Sequence, residues 1–362
     1  MKKKAPHLLL TIDLGASGTK IVASVVGQPD YKALLMTPHC TEFDDRQSLT
    51  PESNFDEHNA WIKIAGVCYA VGNLALTQHN ATNKLKPAKF TVAVPKICAA
   101  IGVTAQKFNL PDKFDISVIF VLPPSEWEQR MIVTERLFAV KDFYAPCGKI
   151  KPNFLNISCR PEGLGILLGQ NVDLKEIVEP VTVIMLGYRN ASILSSFNGV
   201  VSKPTTSDLG FSKLLKSVAS KTGYQIDDLI VPIFELKRYR QNTALNYMLR
   251  CTGADRKYEL NNLIESIASA EKEYWRKLVD WLDEHMPDRS AFICLAGGTS
   301  EYFSDEIEEY AKTKMDFHEN RLRWNTQVCP IQNIRFGDIY VLWNELKNQY
   351  QPTTDKNIIP NS

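Results

Sequence analysis

Apolar runs along the chain are short, and turn residues separate them. Residues 7–12 and 21–26 are two such runs joined by Gly and Ser, a pattern that predicts a β-hairpin. Residues 116–122 form a continuous apolar run that stops at two prolines, as a buried central strand does. Residues 181–186 and 193–197 predict a second hairpin, which also begins with a buried strand.

Helical periodicity dominates the later part of the chain. Between residues 260 and 282 apolar side chains recur at spacings of roughly three and four, so most of residues 210–285 is predicted to be helical. Residues 292–295 predict a strand, and residues 339–346 predict a final helix.

A weak internal repeat suggests how these elements are organised. Ile12-Asp13-Leu14-Gly15 and Ile184-Met185-Leu186-Gly187 each end an apolar strand with the same Leu-Gly step, and a second apolar run follows each. Because 362 residues exceed the usual size of one core, duplication of a hairpin unit predicts two domains with a cleft between their glycine turns. The predicted boundaries are 1–175 with 325–350 for the first domain and 176–324 for the second, and residues 351–362 are predicted to be a disordered tail.

Charge and cysteine usage narrow the class of protein. The formal net charge of +1 gives no electrostatic reason for direct binding to nucleic acid. The apolar stretch 8–12 is interrupted by Asp13 and is far too short to insert into a membrane. The eight cysteines are scattered without a C-x-x-C pair, which favours free thiols in a reducing cytoplasm over a zinc site or disulfides.

The first glycine turn carries the chemistry expected of a phosphate site. Leu10 to Lys20 reads L-T-I-D-L-G-A-S-G-T-K, which does not have the spacing of a Walker A loop. Its two glycines nevertheless allow backbone N–H groups to approach phosphate oxygens, and Lys20 can add a positive charge. Asp13, at the end of the preceding strand, can hold a hydrated divalent cation. The alternative is a glycine-rich hairpin with a solvated lysine. The candidate phosphate ligands here are Gly15, Ala16, Ser17, Gly18, Thr19 and Lys20.

Three further segments are candidates of the same kind. The second hairpin turn, Gly187 to Ser192, offers another set of backbone donors. Gly297-Gly298 after a strand allows a flat base or ribose to lie against the backbone, although a plain turn explains it equally well. Glu162, on a turn rich in Pro and Gly, could orient a water molecule, or it could be a surface residue that caps the next helix.

Taken in order, these motifs resemble those of the actin-like ATPase superfamily, and most closely the ParM/StbA-type bacterial plasmid-partition actins. The resemblance covers roughly residues 8–345 and rests on seven short motifs. These are Asp13 to Lys20; Trp61 with Gly66, Tyr69, Val71-Gly72 and Ala75; Leu122-Pro123; Pro161-Glu162-Gly163; Gly187 to Ser192; Leu209-Gly210 with Ser212; and Ala296-Gly297-Gly298.

The resemblance implies a two-domain actin/Hsp70-like fold, which is a duplicated ribonuclease H-like α/β fold with a nucleotide cleft between the domains. It implies ATP or GTP with Mg²⁺ as the ligand, and slow hydrolysis coupled to filament turnover. Glu162 would position the attacking water, and Asp13 would hold the metal through water. The implied nucleotide ligands outside the first loop are Gly187, Tyr188, Arg189, Asn190, Gly210, Ser212, Gly297, Gly298 and Thr299.

The partners implied by the resemblance are other copies of the chain, in a cytoplasmic filament, and a small adaptor protein of the ParR type. The cargo could be plasmid DNA or the cell envelope. Direct contact with nucleic acid and direct membrane insertion are not expected.

Two departures from the family pattern affect the expected activity. Met185 stands where the second phosphate loop usually opens with Asp, and Phe336-Gly337-Asp338 replaces the start of an F-A-N-x-x-G motif. Nucleotide binding is therefore a safer prediction than rapid hydrolysis.

Other functions of the same fold stay open. A sugar or acetate kinase would need a catalytic base for a substrate hydroxyl, typically an Asp, and residues 116–130 offer Ser125 and Glu126 instead. A non-hydrolysing nucleotide-binding scaffold is compatible with Met185. A chaperone of the Hsp70 type fits less well, because no segment is long enough for a separate peptide-binding domain.

Overall fold

The computed structural model describes residues 5–44, 55–79, 81, 88–170, 174–315, 321–324, 329–331 and 333–350. It divides the chain into a first unit, Met1–Gly169 with Val328–Ser362, and a second unit, Gln170–Gln327. The sequence placed these divisions at 175/176 and 324/325. The predicted tail 351–362 lies outside the described residues.

Strands form at each of the predicted apolar runs, and further strands lie between them. In chain order they are β1 His7–Asp13, β2 Thr19–Val25, β3 Tyr31–Met36, β4 Cys40–Phe43, β5 Asn59–Ile64, β6 Val67–Gly72, β7 Lys113–Leu122, β8 Phe143–Ala145, β9 Gly148–Pro161, β10 Val181–Leu186, β11 Ala191–Phe197, β12 Val200–Val201, β13 Thr205–Ser207, β14 Phe292–Ala296 and β15 Leu322–Trp324.

The helices in chain order are α1 Asn73–Thr77, α2 Ala93–Lys107, α3 Arg130–Phe138, α4 Leu164–Leu168, α5 Phe211–Thr222, α6 Ile226–Tyr239, α7 Thr243–Met248, α8 Ala254–His285, α9 Gly298–Tyr302, α10 Ser304–Thr313 and α11 Gly337–Tyr350. Short 3₁₀ helices cover Lys89–Val92, Pro124–Gln129 and Ile334–Phe336.

The first unit is built on one sheet with the strand order β3-β2-β1-β7-β9-β8-β5-β6-β4. Strands β1 and β2 form the predicted antiparallel hairpin, and β7 and β9 continue the sheet in parallel with β1. Successive residues of β1 belong to different cores. Leu8, Leu10 and Ile12 pack in the core that contains α2, whereas Leu9 packs with α11. A strand covered on both faces has no polar side, which explains its unbroken apolar run.

The second unit repeats the same strand arrangement on a smaller sheet with the order β12-β11-β10-β14-β15, in which β13 also pairs with β11. Here β10 and β11 form the antiparallel hairpin, and β14 and β15 run parallel to β10. The periodic face of α8, with Leu263, Ile267 and Leu278, is buried in the core of this unit. The internal repeat seen in the sequence is therefore a repeat of strand topology.

Among the described residues, no helix combines the length and the apolar character needed to cross a bilayer.

Candidate functional site

The first glycine turn joins β1 to β2 and brings two charged residues face to face. Asp13 and Lys20 are register partners at the open end of the hairpin, so the strand pairing itself places them opposite each other. Lys20 Nζ donates a hydrogen bond to Asp13 Oδ2 at 2.6 Å. Between them, the N–H of Gly18 donates to the carbonyl of Gly15 at 3.2 Å and closes the turn. The predicted loop therefore forms a compact turn beside an ion pair.

Hydroxyl groups on this turn differ in their surroundings. Arg335 Nη2 donates to Ser17 Oγ at 2.8 Å, and Ser17 is exposed. Thr19 Oγ1 is buried and has no hydrogen-bond partner among the described residues. A buried hydroxyl without a partner is costly, so Thr19 is a donor that a ligand could satisfy. Ala16 lies half-buried on the same turn.

Lys89, which the sequence analysis did not single out, connects the two predicted carboxylates. Its Nζ donates to Asp13 Oδ1 at 2.9 Å and also forms an ion pair with Glu162 Oε1. The side chain of Lys89 is 11% exposed and that of Glu162 is 10% exposed, so this ion pair is largely shielded from water. One of the two interpretations of this turn made Glu162 a surface residue that caps the next helix. The structure shows instead that Glu162 is buried.

Burial and ion pairing act against each other in this cluster. Burial alone would raise the pKa of Asp13, but Lys20 and Lys89 hold it well below its usual range. Burial raises the pKa of Glu162, and the attraction of Lys89 does not fully offset it. Burial disfavours the charge on Lys89, yet Asp13 and Glu162 raise the pKa of Lys89 above its ordinary value. Asp13 and Lys89 therefore remain charged near neutral pH.

Asp338 fixes the turn that carries Glu162. Its Oδ2 accepts a hydrogen bond from the N–H of Gly163 at 2.9 Å, and its Oδ1 accepts one from the N–H of Gly165 at 2.7 Å. A Cβ atom on Gly165 would lie 2.0 Å from the carbonyl oxygen of Asp338, so glycine is required for this approach. Burial raises the pKa of Asp338 to about 7, and Asp13 and Glu162 push it in the same direction. The sequence analysis noted Asp338 only as part of a departure from the family motif.

The second glycine turn lies between β10 and β11 and is closed by a hydrogen bond from the N–H of Gly187 to the carbonyl of Asn190 at 2.8 Å. The start of α5 docks on it, since the N–H of Ser212 donates to the carbonyl of Tyr188 at 2.8 Å. A Cβ atom on Gly210 would lie 2.2 Å from the carbonyl carbon of Arg189. The predicted Leu209-Gly210 step is therefore a close backbone contact with this turn.

The paired glycines after β14 reach the same turn. Gly297 is the N-cap of α9, and Thr299 Oγ1 donates to the carbonyl of Gly187 at 2.8 Å. Among the described residues, apart from its chain neighbours and the backbone of its own helix, no heavy atom lies within 4 Å of the position that a Cβ on Gly298 would take, so its face is open. The hydroxyl of Tyr188 is buried with no hydrogen-bond partner among the described residues. Within the second unit, the three predicted motifs thus converge on one turn.

Comparison with known proteins supports the fold. No family model matches the sequence, and no curated protein matches it. An archaeal actin homologue matches with a TM-score of 0.63 and 13% identity over 94% of this chain and 99% of its own. A 15-stranded ParM filament from Clostridium botulinum matches with a TM-score of 0.62 and 16% identity over 95% of this chain and 99% of its own. The chain has an actin-like fold. An Alp12 filament structure matches in the same way, with a TM-score of 0.60, 15% identity and coverage of 95% and 99%.

The actin-like fold confirms the fold class that the motifs predicted. Structural similarity at such low sequence identity shows the fold alone, so the roles of individual side chains stay predictions. The first unit brings Asp13 and Lys20, from one hairpin, together with Glu162 through Lys89, and the roles that the resemblance implies for them stay predictions.

The magnesium ion expected with an actin-like nucleotide site does not fit the donors of these units. Both carboxylate oxygens of Asp13 accept hydrogen bonds from lysines, and one oxygen of Glu162 is paired with Lys89. In the second unit Met185 offers a thioether, whereas Mg²⁺ prefers carboxylate and carbonyl oxygens. Among the described residues there is no group of three or more His, Cys, Asp or Glu side chains arranged to hold a metal. Mg²⁺ therefore stays an expectation of the resemblance, and no step below depends on it.

Proposed function

We propose that this chain is an actin-like cytoskeletal protein that binds ATP, or GTP, and polymerises into filaments. The observation that carries the proposal is the glycine turn 14–18 of an actin-like fold. Its hairpin positions Lys20 against Asp13 in the Asp13–Lys89–Glu162 cluster, and the preceding residue, Thr19, has a buried hydroxyl without a hydrogen-bond partner among the described residues.

Each unit, considered by itself, offers donors suited to part of a nucleotide. In the first unit, the backbone N–H groups of Gly15 to Thr19 and the ammonium of Lys20 would contact phosphate oxygens. In the second unit, the turn Gly187–Asn190 supplies further backbone donors. The open face of Gly298 beside Thr299 suits the flat surface of a base or ribose.

Glu162 is the residue we propose to position water for attack on the terminal phosphate. It is buried, and Asp338 holds its turn through two backbone hydrogen bonds, so its carboxylate lies on a fixed segment. Hydrolysis is proposed to be slow for two reasons. Lys89 already engages the Glu162 carboxylate, and Met185 removes an acceptor from the second loop.

Polymerisation is proposed from the fold, since the ParM and Alp12 structures that match this chain are described as filaments. Nucleotide binding would favour contacts between copies of the chain, and hydrolysis would weaken them. We further propose a cytoplasmic filament with an adaptor protein of the ParR type, whose cargo is plasmid DNA or the cell envelope. The net charge of +1 favours an adaptor over direct contact with DNA.

Electron microscopy and sedimentation of the purified protein with and without ATP test the proposal. The expected result is filaments and a large pelleted fraction that depend on nucleotide. A chain that binds no nucleotide and stays monomeric at high concentration would contradict both parts of the proposal. A coupled assay across sugars and acetate, with ATP as phosphoryl donor, tests the kinase alternative in the same preparation.

A further inference from the structure

Lys89 lies between two carboxylates that would be expected to contact a metal ion or its bound water. Its ammonium group lies between Asp13 and Glu162, which are the two carboxylates assigned to the metal and to the attacking water by the resemblance. Lys20 engages the second oxygen of Asp13 at 2.6 Å. The cluster therefore already contains the positive charge that its carboxylates can pair with.

A third lysine adds to this positive charge. Lys96, in the first turn of α2, is 3% exposed. Burial lowers the pKa of Lys96 to about 8, and Lys96 also interacts electrostatically with Cys40, Lys89, Asp13 and Lys20. A buried ammonium group is costly unless an anion compensates it.

Counting charges shows that the buried lysines outnumber the paired carboxylates by one. Lys20, Lys89 and Lys96 stand against the carboxylates of Asp13 and Glu162. The nearby carboxyl of Asp338 already accepts two backbone N–H groups. A divalent cation would have to displace lysines from Asp13, whereas a polyphosphate would bring negative charge to a cluster that has more lysines than paired carboxylates.

We propose that Lys89 is a built-in cation of the nucleotide site, supported by Lys20 and Lys96, so that the chain binds ATP with little dependence on Mg²⁺. This inference rests on the proposed ATP binding. It makes Lys89 a positioning residue for Asp13 and Glu162 and a source of positive charge for the triphosphate. It also accounts for how the chain tolerates Met185, since a site that does not rely on a metal loses little without the usual Asp.

Isothermal titration calorimetry of the full chain with ATP tests the inference. One buffer contains Mg²⁺ at about 5 to 10 molar equivalents over nucleotide, an excess chosen to saturate the nucleotide, and the other contains EDTA. We expect the dissociation constants of the wild type in the two buffers to agree within about threefold. Lys89→Gln should weaken binding in EDTA by about tenfold or more, the effect of losing one charged hydrogen-bond partner. Mg²⁺ should then restore part of the affinity, because the oxygens of Asp13 and Glu162 are released.

Control variants separate the charge of Lys89 from its packing. Lys89→Arg should keep metal-independent binding. Lys149→Gln, at a half-buried lysine that pairs with Asp142, should behave as wild type in both buffers.

The outcomes distinguish the inference from the proposed function. Wild-type binding that is lost by more than about tenfold in EDTA overturns the inference and leaves ATP binding standing. If Lys89→Gln is folded by circular dichroism and its ATP binding stays insensitive to EDTA, the role assigned to Lys89 is overturned and ATP binding still stands. Absence of ATP binding in both buffers overturns the proposed function itself. The wild-type comparison needs no variant, so misfolding of Lys89→Gln does not prevent the test.

Discussion

Replacing Asp338 by alanine should destabilise the turn that carries Glu162. In the wild type, the carboxylate of Asp338 is the acceptor for the buried N–H groups of Gly163 and Gly165, at 2.9 and 2.7 Å. Each buried N–H that loses its acceptor costs about 1–3 kcal/mol, so losing both should lower the free energy of opening this segment by about 2–6 kcal/mol. The affected opening is local, because only segment 163–165 and the start of α11 share these bonds.

The loss should depend on pH in a defined direction. The pKa of Asp338 is raised from 3.8 to about 7 in the folded protein, chiefly by burial. The folded state therefore holds this proton more tightly than the unfolded state, and the contribution of Asp338 is complete below about pH 4 and is lost as the pH rises through 7. Between pH 5 and pH 8 this amounts to on the order of 2–3 kcal/mol. Asp338→Ala should consequently be more destabilising at pH 5 than at pH 8.

Amide hydrogen exchange is the suitable assay, because a chain of two units need not unfold in one step. Protection of the Gly163 and Gly165 amides would be measured at pH 5 and pH 8 after correction for intrinsic exchange rates. Asp112→Ala, at an exposed aspartate of the same unit, is the matched control. If both variants lower the protection equally, or if the loss in Asp338→Ala is greater at pH 8, the assigned role of Asp338 is wrong.

Three further outcomes are expected. Gly210→Ala should lower the stability of the second unit by about 1–3 kcal/mol in urea unfolding, because its Cβ would lie 2.2 Å from the backbone of Arg189. Gly298→Ala is its control and should unfold as the wild type does, because no described residue beyond its own helix and chain neighbours lies within 4 Å of the new atom. Glu162→Ala should leave assembly intact and slow filament loss in light scattering, and depolymerisation at the wild-type rate would refute its role. Met185→Asp should raise the rate of phosphate release. If the wild type already hydrolyses ATP as fast as a dynamic partition actin, the reasoning about Met185 is wrong.

The parts of the site that follow from local sequence were predictable. The hairpin β1–β2 and its glycine turn are encoded within residues 7–25, where apolar periodicity and the placement of Gly15 and Gly18 act over a few residues. The second hairpin repeats these signals, so the strand topology of the two units could be expected from their similarity.

Strands and side chains that depend on distant parts of the chain escaped prediction. β9, Gly148–Pro161, has half-buried and exposed positions along most of its length and so lacks a continuous apolar run. Lys89 follows no glycine and belongs to no recognisable spacing, and it meets its partners Asp13 and Glu162 only through the fold, 76 and 73 residues away in sequence. A lysine in a polar segment ordinarily indicates a solvated surface.

Departures from a family motif therefore have different consequences, and these depend on what each new side chain contacts. At Met185 the change removes a charged acceptor, and no other carboxylate replaces it on that strand. At Asp338 the change supplies an acceptor that binds Gly163 and Gly165 and thereby orients the turn of Glu162. The first departure removes a ligand from the metal site that the family pattern implies, whereas the second strengthens the segment that holds a candidate catalytic carboxylate. Under the proposed function, the lysines of the first unit compensate phosphate charge, and we expect the chain to bind nucleotide and to hydrolyse it slowly.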